Sequence, residues 1–183
     1  MLRIAVAALV LLLLPTVALA QDAAPTYEAR IRTALDASTS DRAGAMRGFR
    51  EAVAQDPSRP DAYCYLAEVY RLQADFTSAL DNFQTCLTVA RTAHSTAFAA
   101  RGAHGVALTL ERLGPEHLAN ARAAWTAYER LTEDPLVFPE IGREREAAID
   151  AVVALAERSA VVAGRIRDRD AIAAAAASSG GSH

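Results

Sequence analysis

Lysine is absent from the sequence, so all 19 basic residues are arginine, set against 22 acidic residues for a net charge of −3. The arginines are dispersed and no block of like charge occurs, so the electrostatic footprint that nucleic acid or anionic lipid requires is missing. Cysteine occurs only at Cys64 and Cys86. Histidine is as sparse: His94, His104 and His117 are 10 and 13 residues apart, without the i, i+4 pair that puts two ligands on one helical face, and His183 stands at the end of the chain. No metal site is therefore expected. Gly102-Ala103-His104-Gly105 lacks the downstream pattern of a phosphate loop, and glycines so spaced in a helix permit close packing. Arg143-Glu144-Arg145-Glu146 alternates in charge as a solvated helical face does. No serine or cysteine nucleophile motif occurs, so the chain is expected not to be an enzyme and to carry no cofactor.

What is present is alanine and helical periodicity. The 183 residues are 52% hydrophobic, a share raised by alanine and by the N-terminal segment. Few β-branched residues and seven prolines placed at the ends of periodic stretches point to one all-α domain. Residues 1–20, MLRIAVAALVLLLLPTVALA, have Arg3, an apolar run from Ile4 to Leu14 and a small-x-small end, the marks of a secretory signal peptide cleaved before Gln21. Cleavage leaves 18 basic against 22 acidic residues, a charge of −4. The alternative is an uncleaved membrane anchor, but Ile4 to Ala20 is short of the roughly 20 apolar residues that span a bilayer core. Export, to the periplasm or beyond, without stable membrane insertion after cleavage, is the expectation.

After a linker at 21–26, apolar residues recur at helical spacing from Tyr27 to Ala37 and from Arg42 to Gln55, the second stretch carrying Ala45, Phe49 and Ala52. The clearest segment is Pro60 to Arg91. Tyr63, Leu66, Ala67 and Tyr70 form one stripe, and Phe76, Ala79, Phe83, Cys86 and Leu87 a second, with a polar turn between them at 73–75. Ala79, Phe83 and Cys86 lie 34 residues after Ala45, Phe49 and Ala52. This helical hairpin, with its aromatic, Leu-Ala and Ala-x3-Phe spacing and its 34-residue echo, resembles one unit of the tetratricopeptide repeat family. The resemblance implies a right-handed superhelix of helical hairpins over 27–132 that binds a protein or peptide in its concave groove.

The next second-helix signature, Ala121, Trp125 and Tyr128, falls 42 residues after Ala79, and the extra eight predict a lengthened first helix from about Ser95 to Leu113. A loop at Thr132–Pro139 leads to a long capping helix over 138–168. Its stripe of Ile141, Ala148, Ile149, Val152, Leu155, Ala156, Val162 and Ile166 would close the open end of the stack. Residues 169–183, rich in Ala, Gly and Ser, read as a disordered tail, with helix fraying into it over Ala171–Ala177.

By the resemblance, the first helix of each pair lines the groove, which puts Cys64, Glu68, Arg71 and Leu72 toward a ligand. The family's carboxylate-clamp subgroup uses lysine and asparagine there, and this chain has no lysine. A second reading places a small-ligand or enzymatic pocket near Trp125, with Tyr128, His104 and His117. Cys64 and Cys86 each stand 11 residues from Asp75 and so at one level of the hairpin. Cys64 is one step off the stripe that faces the partner helix. A disulfide between the two and a pair of packed free thiols both remain open.

Overall fold

Three of the helices begin where a side chain accepts from an unsatisfied backbone N–H. The computed structural model describes residues 24–131 and 137–179. Thr26 Oγ1 accepts from Ala29 N and opens α1 (Tyr27–Ala37). Asp41 accepts from Gly44 N at 2.8 Å and opens α2 (Arg42–Gln55). Pro60 stands at the first position of α3 (Pro60–Leu72), where its missing N–H costs nothing. Asp75 accepts from Ser78 N to start α4 (Phe76–Thr92). Then follow α5 (Thr96–Leu113), a 3-10 turn at Pro115–His117, α6 (Leu118–Glu129) and α7 (Pro139–Ser179). The described residues contain no strand, and the fold is all-α.

Each helix packs against the next, and α3 also packs against α5. Positions 34 apart meet across successive first helices. Tyr27 Oη donates to Asp61 Oδ1 at 2.5 Å, Cys64 Sγ lies 3.9 Å from the Phe98 carbonyl, and Arg145 Nε donates to Glu111 Oε1 at 3.0 Å. The helices α2 and α4 start 34 residues apart, α4 and α6 start 42 apart. At 18 residues α5 is five longer than α3, and α4 is three longer than α2, which together make up the extra eight.

Two apolar clusters share α3. Tyr27, Ile31, Phe49, Ala62, Leu66 and Val69 form the first, and Ala67, Phe83, Ala103, Val106, Ala107, Trp125 and Ile149 belong to the second. In the second, α5 approaches α4 through glycine. A Cβ on Gly102 would stand 2.9 Å from Leu87 N, and one on Gly105 would stand 2.3 Å from the Phe83 ring. In a free helix, alanine for glycine stabilises by about 1 kcal/mol. Here the ring of Phe83, itself fully buried, must move, so Gly105→Ala is expected to destabilise by about 1–3 kcal/mol. Urea unfolding followed by far-ultraviolet circular dichroism reads the sign.

The C-terminal helix differs from the sequence reading in two respects. It continues to Ser179, past the expected boundary at residue 168, because 171–176 are alanine and isoleucine, strong enough helix formers to extend an existing helix. It also caps the array with its first turns only. Gly142 and Ile149 are buried against α6, Arg122 pairs with Asp150 at 2.9 Å, and Thr126 bonds Glu146. Beyond Asp150 the stripe expected to be covered is exposed at Val152, Leu155, Val162 and Ile166. The signal peptide at 1–20, half of the linker and the last four residues lie outside the described residues, as does most of the Thr132–Pro139 loop.

Candidate functional site

Among the described first helices, α3 and α5 alone pack closely on one another. On α3 the residues turned toward α5 are small: Cys64 and Ala67 are both fully buried. Thirty-four residues on, the equivalent positions of α5 hold Phe98 and Arg101, and these do not meet a following helix in the same way. The chain instead passes through Val137 and Phe138 before α7 begins, and α7 leans on α6. What remains between α3, α5 and α7 is a groove of about 550 Å³, lined by Glu68, Ala97, Phe98, Ala100, Arg101, His104, Tyr128, Phe138 and Ile141.

Its walls are mainly apolar, with charge at defined points. The Phe98 ring stands edge-on to Tyr65 at 6.1 Å, and Tyr65 packs on Phe49 at 5.6 Å, so the aromatic wall is anchored in the first cluster. The Arg101 guanidinium lies 4.8 Å over the Tyr65 ring and has no carboxylate partner among the described residues. Glu68 is already neutralised, accepting from Arg71 Nε at 2.9 Å. The unmatched charge of the groove is therefore the positive one on Arg101.

His104 sits at the inner side, edge-on to Trp125 at 5.4 Å and 5.5 Å from Tyr128. Burial lowers its pKa from the ordinary 6.5; Glu68 opposes the shift and Arg71 adds to it. A neutral buried histidine that is charged when unfolded makes the unfolded chain bind more protons below that value. Stability is thus expected to fall as pH drops below about 6.5, and His104→Gln should flatten that dependence. Thermal melting between roughly pH 7 and 5 measures it.

Of the groove residues expected from sequence, Glu68 lines the cavity, Arg71 holds Glu68 from the rim, and Leu72 is exposed beside it without lining it. Cys64 does not face a ligand at all. It is fully buried and joined to Cys86 in a disulfide with Cα atoms 5.3 Å apart. Of α3, Glu68 alone lines the groove, about 40° round the helical wheel from Cys64. Phe98, Arg101 and Phe138 escaped the sequence reading, and Ile141, expected in the capping stripe, lines the groove instead. Their signal is the exchange of small residues at 64 and 67 for large ones at 98 and 101, which marks a helix contact that the next repeat cannot reproduce.

The alternative pocket around Trp125 separates into parts. Trp125 is fully buried with its indole N–H donated to Glu111 Oε1 at 2.6 Å, and it does not line the groove. His117 stands apart, 3.8 Å from Glu116. His104 and Tyr128 alone reach the groove. No cluster of three metal-ligating side chains occurs among the described residues, and no described helix is long and apolar enough to cross a membrane. Compared with known proteins, the chain matches no protein-family model and no curated sequence, so the function of the groove rests on its own chemistry.

Proposed function

We propose that this chain is an exported, non-catalytic interaction module of tetratricopeptide type that holds a segment of a partner protein in the groove between α3, α5 and α7. The groove itself carries the reading: an apolar wall of Phe98, Phe138 and Ile141 beside the unpaired Arg101 suits an apolar side chain flanked by a carboxylate. The helical hairpins, the contacts at 34-residue intervals and the resemblance of Pro60 to Arg91 to a repeat unit support the type. The apolar leader of residues 1–20 and the bonded cysteines support export into an oxidising compartment.

The test is site-specific photo-crosslinking in an envelope fraction. A photoreactive residue at Phe98 or Ile141 is expected to capture a partner that one at Thr85, on the outer face of α4, does not. Arg101→Glu should abolish the capture. Equal capture at Thr85, or capture indifferent to Arg101, sinks the groove assignment. Recovery of the mature chain only from the cytosol, or an N-terminus other than Gln21, sinks the export assignment.

A further inference from the structure

From Ala151 to Asp170 the helix α7 runs on for about 30 Å with no other described element against it. It carries a regular apolar line. Val152 is 52% exposed, Leu155 63%, Val162 54% and Ile166 46%. With Ala148 before them and Ser159 between them, the spacing is 4, 3, 4, 3, 4, the alternation of the two core positions of a heptad. Such a line has the pattern of one side of a two-helix seam.

We infer that the missing helix is α7 of a second copy, paired in parallel and in register over residues 148–170. The side chains at the seam fit that arrangement. Val152 and Ile166 are β-branched at one core position, and the other holds Ala148, Leu155 and Val162, so the central layers around Val152 and Leu155 have the pattern that favours two parallel strands. Ser159 is a polar break at a central core position, a register device at some cost in stability, and Arg169 at the core position after Ile166 ends the apolar line. The flanking charges choose the direction. In the parallel pair Arg165 of one copy lies opposite Asp170 of the other, twice by symmetry, while Ala151 faces Ala156 and Arg158 faces Ala163. An antiparallel pair that matches the same apolar layers sets Arg158 against its own copy, a like-charge contact. In the parallel arrangement two heads, each with its groove, stand at one end of a shared rod, so a partner with two binding segments would gain the avidity of a tethered second site. The pairing itself holds whatever the grooves bind.

Analytical ultracentrifugation of the whole mature chain across the micromolar range tests it. A dimer is expected, reduced to monomer by Leu155→Glu with Val162→Glu. The head is untouched by these changes, so the near-ultraviolet signal of Trp125 stays as in the parent and separates loss of pairing from loss of fold. Ser159→Cys reads direction: parallel pairing places the two substituted side chains together at the seam, and mild oxidation links nearly all of the dimer. Cys64 and Cys86, bonded to one another and buried, supply no competing thiol. The inference is overturned by a parent chain that stays monomeric, by a dimer that survives the double glutamate substitution, or by a dimer that Ser159→Cys does not link. A monomer whose stripe instead takes up the helix of an unrelated protein overturns it as well.

Discussion

Replacing Trp125 with alanine is expected to lower stability by about 3–5 kcal/mol, the cost of removing a large ring from a site with no room to collapse. The indole is fully buried, stands edge-on to His104 and Tyr128, and donates its N–H to Glu111. That carboxylate also receives Arg145 of α7, so one acidic side chain on α5 joins three helices at the capped end. The melting temperature should fall by roughly 10 °C or more. Trp125→Phe keeps a ring in place and leaves Glu111 with Arg145, so its cost should be less than half as large. The pair of variants also separates a core tryptophan from a ligand-binding one. If Trp125→Ala left the melting temperature unchanged, the packing described for α5, α6 and α7 would be wrong.

The physics that made much of the fold readable is local. Proline at 60, capping aspartates at 41 and 75 and glycine at 114 fix where helices start and stop, and their effects reach only a few residues. The glycines of α5 likewise announced a close approach, because a missing Cβ has few other uses inside a helix. The direction of each face was less readable. Cys64 and Glu68 are neighbours on one helical surface, about 40° apart, yet one is sealed beneath α4 and α5 and the other opens to the groove. Periodicity has no means of locating that boundary, which is set by how closely the partner helices approach. The stripe of α7 shows the same limit from the other side. An apolar line at helical spacing states that something must cover it, and only the structure shows that nothing within the described chain does beyond Asp150. The groove depended on an absence, the failure of α7 to pack on α5 as α5 packs on α3, and a missing contact leaves no pattern of its own.

Loss of the Cys64–Cys86 disulfide is expected to destabilise the fold by about 3 kcal/mol, from the loop-closure entropy that the 22-residue separation removes from the unfolded chain. The bond is placed where the hairpin needs it. It ties α3 to α4, and both sulfurs lie within 3.9 Å of the Phe98 carbonyl at the junction with α5. The side-chain directions that the sequence left open converge because Cys64 is turned inward, away from the groove. Since both cysteines are fully buried, a reductant meets the bond only after the hairpin opens. Alkylation of the native protein under mild reduction should therefore add no mass, while the same treatment in denaturant should add two alkyl groups. Cys64→Ala with Cys86→Ala removes the cross-link together with two buried sulfurs, so its cost in urea unfolding should equal or exceed that of reduction. A double variant as stable as the parent would show that the close packing of α3 on α4 already restricts the unfolded chain, and the entropic account of this bond would have to be abandoned.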